Sequence, residues 1–232
     1  MMIAARNAFL MGGAGPTPWV NPYVTDGLVA LWDGEWNAGG GVHDANATTW
    51  ADLSGNNHDA ALTAVSFGAD FGLFNGSTSV GVMDVAPSPT MTIEAVISDF
   101  VNHNNAIVIL GGNPVTYGLA LGVTEGAGVF AYCVVNNGQS LPAAKVNQFV
   151  SGSYSAIYTQ VGVVSGSLNG VAASTHMSYL RWNTTQGGIG YRIDNAAWAF
   201  EGKIHNIRVY SRALTSAEVA ANYAIDAARF GL

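Results

Sequence analysis

The sequence is poor in charged residues, and this shortage limits the partners that the protein can have. Only 10% of its 232 residues are charged, against roughly 25% in an average globular domain. The 8 lysines and arginines are scattered along the chain, and the formal net charge is −7. A surface that follows nucleic-acid phosphates needs clustered basic residues, and so does a polybasic contact with a membrane. We therefore expect no nucleic-acid partner.

Long apolar runs and cysteines are scarce as well. No segment reaches the roughly 18 consecutive apolar residues of a membrane-spanning helix, so we expect no insertion into a membrane. The one cysteine, Cys133, lies in an apolar run and cannot form an internal disulfide. We interpret it as a buried small hydrophobic residue rather than a catalytic thiol, because the sequence identifies no base beside it.

The first 25 residues lack the pattern of a good secretory signal. Their only charged residue is Arg6, and the short apolar run that follows it is broken by glycines. We predict that residues 1–25 form an N-terminal arm or leader and that residues 26–232 form one domain. We expect the protein to act outside the cell or on a virion surface, which it would reach by lysis or particle assembly if no export signal exists.

Apolar residues and glycines, in contrast, are abundant. Hydrophobic residues make up 49% of the chain, and there are 29 glycines. Short apolar runs between turn-forming residues are typical of a β-sandwich or barrel. After an opening strand in residues 26–32, we predict strands at 60–67, 71–74, 79–85, 90–100, 106–110, 117–123, 126–135, 149–158, 162–168 and 203–210.

The last strand and the segment after it carry the clearest local patterns. In the strand, Ile207 and Val209 share one face, and Asn206 and Arg208 share the other. Thr215 and Glu218 then stand three residues apart, as in a helix capping box. We therefore predict a strand with an apolar and a polar face, followed by a short C-terminal helix.

Several segments, taken in order, resemble one family. Residues 200–219 resemble the closing motif of laminin-G-like domains, F-x-G-x-I-x-x-V-R-I-Y-x-R-A-L-S-x-x-E-I, with Gly202 placed to permit a tight approach or a bulge. Residues 27–32, with the D-x-S-G-N turn in 50–56, resemble its opening, and the Asn-Gly of 167–171 resembles its tight hairpin. The resemblance to this concanavalin A-like lectin-glucanase superfamily implies an all-β fold. The fold would be a two-sheet antiparallel jelly-roll β-sandwich with a short C-terminal helix.

The same resemblance implies a range of functions. Family members bind glycans, proteins or other ligands, often through calcium, and many are passive modules of larger surface proteins. The closing motif commonly has acidic residues where this chain has His205 and Asn206. The resemblance therefore gives no calcium ligand on that strand.

The polar loop after the opening strand is the candidate calcium site. Calcium takes about six to eight oxygen ligands, often from Asp, Glu and Asn. We single out Asp33, Asp44, Asp52 and Asp59 as possible calcium ligands; the other oxygen donors there are Glu35, Asn46 and Asn56. The alternative is that these residues form Asx turns that cap the loop's own backbone.

A ligand other than a metal could use the aromatic residues. Trp36 and Trp182 lie in polar segments and could stack on sugar rings, and Asp44 and Asn46 could bind the sugar hydroxyls. The alternative is that both tryptophans pack under long loops.

The sequence leaves three functions open. The first is a non-catalytic recognition module that binds a glycan or a surface protein. The second is a structural decoration or fibre protein of a virion, docked on neighbouring subunits through the N-terminal arm. The third is a glycoside hydrolase, but the glutamates form no E-x-D-x-x-E set, and Glu94 has no partner that the sequence identifies. We therefore expect that the protein is not an enzyme.

Overall fold

The chain folds into two antiparallel β-sheets and one C-terminal helix. The computed structural model describes residues 19–86, 88–101, 105–110, 118–124, 128–135, 139–146, 151–159, 163–177, 186–191 and 199–232. Along the chain, the strands of these residues pass from one sheet to the other several times. The predicted all-β sandwich with a C-terminal helix is therefore confirmed.

The first sheet is built around its longest strand, β16. Its order is β14, β13, β12, β7, β16, β5 and β4, and β1 also pairs with β16. One side of β16 pairs with β7, and the other pairs first with β5 and then with β1. The strands are β1 (Leu28–Asp33), β4 (Ser66–Phe67), β5 (Gly72–Asn75), β7 (Met91–Ser98), β12 (Gly152–Thr159), β13 (Val163–Leu168), β14 (Val171–Met177) and β16 (Glu201–Tyr210).

The second sheet faces the first across the core. Its order is β11, β10, β9, β8, β15, β6, β3 and β2, so β11 and β2 form its edges. The strands are β2 (Thr49–Trp50), β3 (Ala60–Thr63), β6 (Val80–Asp84), β8 (Asn105–Leu110), β9 (Gly118–Thr124), β10 (Gly128–Val135), β11 (Gln139–Val146) and β15 (Gln186–Ile189).

Every predicted apolar run contains a strand, but the run at 60–67 differs from its prediction. It forms two short strands, β3 and β4, which belong to different sheets. Ala64, between them, has a positive φ of 51°, so the chain turns there from one sheet to the other. Four strands, β2, β11, β14 and β15, contain none of the predicted apolar runs. Of these, β11 contains Pro142, and a strand with proline is tolerated at a sheet edge, where one backbone N–H is not needed.

The core lies between the sheets and is filled by large side chains. Trp32, Phe200, Ile207 and Val209 are fully buried in one apolar cluster. The opposite face of β16 carries Arg208 and is buried too. The alternation predicted for this strand is thus confirmed, but both of its faces are covered.

The second covering layer is helix α1 (Ser216–Phe230). Its N-terminus has the predicted capping box, because the Thr215 hydroxyl accepts from the Glu218 backbone N–H and the Glu218 carboxylate accepts from the Thr215 N–H. Leu214 and Val219 pack with Tyr210 of β16 in a small second apolar cluster. The helix therefore lies on the outer face of the first sheet.

Two points of the chain depend on backbone conformations that glycine favours. Asn169 and Gly170 both have positive φ, 50° and 74°, which is the type I′ geometry predicted for the β13–β14 hairpin. Gly202 has a φ of 149°, and a Cβ there would lie 2.8 Å from the Phe100 Cα. Gly202 is therefore the point of tight approach that the closing motif suggested.

We expect Gly202→Ala to destabilise the protein by about 2–4 kcal/mol, because the residue would combine backbone strain with overlap against the Phe100 main chain. Urea unfolding followed by tryptophan fluorescence measures the change. Gly40→Ala is the matched control, since a Cβ there meets Trp19 only at an ordinary 3.5 Å. Equal stability of the two variants would contradict the packing described for Gly202.

Candidate functional site

The predicted calcium ligand Asp33 lies at the end of β1 and is completely buried. The Arg229 guanidinium donates to both of its oxygens, at 2.7 and 3.0 Å. The Asn206 amide donates a third hydrogen bond at 2.9 Å. This carboxylate is therefore engaged in joining β1 and β16 to helix α1.

Asp52 is engaged by the loop backbone. Its Oδ1 accepts from the Leu31 N–H at 2.9 Å and from the Ser54 N–H at 2.8 Å. Its Oδ2 accepts from the His58 N–H at 3.0 Å and from the Ser54 hydroxyl. Asp52 thus ties the Asx-type turn after β2 to strand β1.

The other two predicted ligands, Asp44 and Asp59, are exposed. Asp44 Oδ1 accepts from the Asn46 N–H at 2.9 Å. The buried Asn37 amide fixes the Asp44 main chain, since it accepts from the Asp44 N–H at 2.8 Å and donates to the Asp44 carbonyl at 2.7 Å. Asp59 Oδ1 accepts from the Asp52 N–H at 2.8 Å.

Asp44 and Asp59 come together at an open depression of about 330 Å³ beside the edge strand β2. Asp33 and Asp52 do not line it. The residues that line this depression, called the β2 depression below, are Ala38, Asp44, Ala47, Thr48, Thr49, Ala51 and Asp59. The structure therefore brings two of the four predicted carboxylates to one surface and uses the other two inside the fold.

The described residues contain no group of three or more His, Cys, Asp or Glu side chains arranged to hold a metal ion. The contacts of Asp44 and Asp52 are of the Asx-turn kind that was the alternative interpretation of the loop. Calcium binding by Asp33, Asp44, Asp52 and Asp59 stays a prediction.

The aromatic part of the predicted site lies elsewhere. Trp36 is half-buried, with its ring centroid 6.0 Å from that of Trp19, and the Arg229 guanidinium lies 4.7 Å from its centroid. It is not part of the β2 depression. Asn46 is exposed next to Asp44, and Trp182 lies outside the described residues. Sugar stacking by either tryptophan stays a prediction.

The sequence did not reveal a buried ionic network on the outer face of the first sheet. Arg208 of β16 donates through Nε to Glu94 of β7 at 2.8 Å, and its two terminal nitrogens donate to Asp226 of α1 at 2.7 Å each. Asn222 also donates to Glu94, at 2.7 Å, and Ser153 donates to Asp226, at 2.8 Å. Glu94 therefore has its partner 114 residues away along the chain, where no local pattern could show it.

The segment before residue 26 also contacts this network. The Arg208 guanidinium carbon lies 4.1 Å from the Tyr23 ring centroid, and the Tyr23 hydroxyl accepts from Arg229 at 2.8 Å. The Val24 N–H donates to the Asn222 side chain at 3.0 Å. The described end of the predicted N-terminal arm, residues 19–25, thus lies against the sandwich.

The pKa shifts in this network are those of buried groups with a structural role. Burial raises the pKa of Glu94, and the nearby Arg208 opposes this shift without cancelling it. Burial also raises the pKa of Tyr23 strongly, which keeps its hydroxyl neutral. Both Glu94 and Asp226 are almost fully buried and engaged by Arg208, so their side chains are not presented to a substrate at the surface.

No helix among the described residues is both long and apolar enough to cross a membrane. No family model matches the chain, and no curated protein matches it.

Solved structures share the fold at low identity. A Trypanosoma rangeli sialidase in complex with sialic acid is 16% identical with a TM-score of 0.63, over 85% of this chain and 32% of the sialidase. Domain 4 of AbnA, a GH43 extracellular arabinanase from Geobacillus stearothermophilus in complex with arabinotriose, is 15% identical with a TM-score of 0.61, over 84% of this chain and 98% of that domain. The binding domain of Paraclostridial Mosquitocidal Protein 1 is 15% identical with a TM-score of 0.61, over 86% of this chain and 52% of that one. This chain therefore spans about a third of the sialidase and nearly all of the arabinanase domain, and what it shares with them is the β-sandwich fold.

Arg208→Met should destabilise the protein by about 3–5 kcal/mol, because it leaves Glu94 and Asp226 buried without a counter-charge. Arg212→Met removes the pairs with Asp26 and Glu218, which are partly exposed, and should cost at most about 1 kcal/mol. Urea unfolding at pH 7 compares the two variants. Similar losses would show that the buried network does not hold the helix as described.

The raised pKa of Glu94 gives a pH dependence of stability. Above its ordinary value of 4.5, the folded protein holds the Glu94 proton more firmly than the unfolded chain does, so this residue's contribution falls as the pH rises through that window. Glu94→Gln removes the titration. We expect the unfolding free energy of wild type minus that of Glu94→Gln to decrease between about pH 4 and pH 8. A difference that stays constant or grows with pH would contradict the assignment.

Proposed function

We propose that this chain is a non-catalytic recognition module, a lectin-like sandwich that binds a glycan in the β2 depression. The observation that carries the proposal is the meeting of Asp44 and Asp59 with two threonines and three alanines at one concave surface. Membership of the laminin-G-like superfamily, which the residues of the closing motif support, is part of the same proposal.

The lining suits a sugar because it offers both polar and apolar contacts. Within the described part of the chain, Asp44 and Asp59 each use only Oδ1 in a hydrogen bond, so Oδ2 of each can accept from a sugar hydroxyl. Thr48 and Thr49 add hydroxyls, which both donate and accept. The alanine methyl groups offer apolar surface to the C–H groups of a sugar ring. The depression is open and small, which fits one or two sugar units rather than a long chain.

The neighbours with the same fold support this choice of ligand. The arabinanase domain was solved with arabinotriose and the sialidase with sialic acid, and a third neighbour is a toxin's binding domain. The proposal of a non-catalytic role is supported by Glu94 and Asp226, which serve as partners of Arg208 in the interior. A place on a cell surface or a virion belongs to the proposal as well, and detection of the chain in purified particles or in culture supernatant tests it.

A glycan array, probed with and without calcium, tests the proposal directly. We expect wild type to bind a subset of glycans and Ala38→Trp to lose that binding by at least about tenfold, because the indole would fill the depression from an exposed turn position. Ala224→Trp, on the exposed side of helix α1, is the matched control and should bind as wild type does.

The outcomes separate the competing functions. Absence of binding by wild type at high protein concentration, with and without calcium, would overturn the glycan proposal and favour a structural component without a small ligand. Binding that Ala38→Trp retains would place the site elsewhere on the protein. Hydrolysis of a bound glycan would overturn the non-catalytic role.

A further inference from the structure

We infer that the β2 depression selects uncharged or cationic sugars and excludes sugar acids such as sialic acid; this inference rests on the proposed function and specifies its ligand class. The observation behind it is the one-sided hydrogen-bonding character of the lining. Of the residues that the structure describes, the charged ones in the lining are Asp44 and Asp59, which are both acidic, and none in the lining is basic.

The bonding capacity of the two carboxylates gives the first reason. An ionised carboxylate only accepts hydrogen bonds. A sugar hydroxyl or the ammonium group of an amino sugar can donate to Asp44 and Asp59. The carboxylate of a sugar acid cannot. Among the described lining residues it would find only the Thr48 and Thr49 hydroxyls as side-chain donors, beside two like charges.

The basic side chains that the structure describes give the second reason, because each of the four is already paired. Lys203 is paired with Asp99, Arg208 with Glu94 and Asp226, Arg212 with Asp26 and Glu218, and Arg229 with Asp33 and Glu35. All four lie on β16, on the segment after it, or on α1. None of them belongs to the lining, so none is placed to neutralise an anionic ligand there.

The two carboxylates are also held in place. The fully buried Asn37 amide accepts a hydrogen bond from the Asp44 N–H and donates one to the Asp44 carbonyl. Asp59 is held through the Asp52 N–H, and Asp52 is itself bound to β1. Positions fixed in this way keep the negative charge at the depression when a ligand arrives, which favours selection by charge over adaptation.

The expected ligand class differs from that of one structural neighbour. The sialidase that shares the fold was solved with an acidic sugar, sialic acid, and the arabinanase domain with a neutral one, arabinotriose. The charge of the β2 depression places this chain with neutral or amino sugars.

Isothermal titration with three oligosaccharide probes tests the inference: an arabino-oligosaccharide, a chitosan oligosaccharide and a sialylated oligosaccharide. We expect wild type to bind a neutral or cationic probe and not the sialylated one, and the chitosan affinity to fall with added salt. In Asp44→Asn/Asp59→Asn the chitosan affinity should drop by about tenfold, while Asn keeps the acceptor oxygens that hold the loop.

Asp26→Asn/Asp99→Asn is the matched control. It also removes two negative charges, but at exposed positions that do not line the depression. Its chitosan affinity should therefore equal that of wild type. Thermal unfolding of both double variants checks that each remains folded. An equal loss of affinity in the control would mean that net charge, not the site, attracts the amino sugar, and would overturn the inference.

The inference and the proposed function fail in different ways. If wild type binds the sialylated probe and Ala38→Trp abolishes that binding, the inference is overturned and the proposed function stands. If wild type binds none of the probes and no glycan on the array, the proposed function falls, and the ligand class falls with it.

Discussion

The structure depends on one buried cation, Arg208, which bonds Glu94 on the neighbouring strand and Asp226 on the C-terminal helix. The residue stands on β16, the strand that pairs with β7, β5 and β1. The preceding residue, Ile207, points the other way into the apolar core. One strand therefore holds the sandwich together on one face and fixes the helix on the other.

Burying these charges is expensive, and the hydrogen bonds explain why the arrangement is tolerated. The desolvation of an ion pair in a protein interior is offset only when its donors and acceptors are well satisfied. Arg208 bonds Asp226 through both terminal nitrogens, Glu94 takes a second hydrogen bond from Asn222, and Tyr23 covers the guanidinium. The four basic side chains that the structure describes all take part in ion pairs, either in this network or nearer the surface. Among the described residues, the charged ones that line the depression beside β2 are both acidic.

The polar loop after β1 divides its carboxylates between two tasks. Asp33 and Asp52 accept hydrogen bonds from side chains and from backbone N–H groups, and so position the loop. Asp44 and Asp59 lie at the surface that this positioning creates. Fixing the loop and lining a surface depression are thus separate roles of one residue type, and burial decides which role each residue has.

The sequence by itself determined the elements whose signals are local. The alternation around Ile207, the Thr215 capping box and the Asn169-Gly170 turn each follow from the preferences of neighbouring residues, and they predicted β16, α1 and a hairpin correctly. It also placed four aspartates in one loop, but it could not say which would be buried. Tertiary structure decided the division of Ala60–Phe67 between two sheets, the pairing of Glu94 with Arg208, and the meeting of Asp44 with Asp59. Each of these joins or separates residues through the packing of distant strands, and no pattern of neighbours along the chain records such contacts.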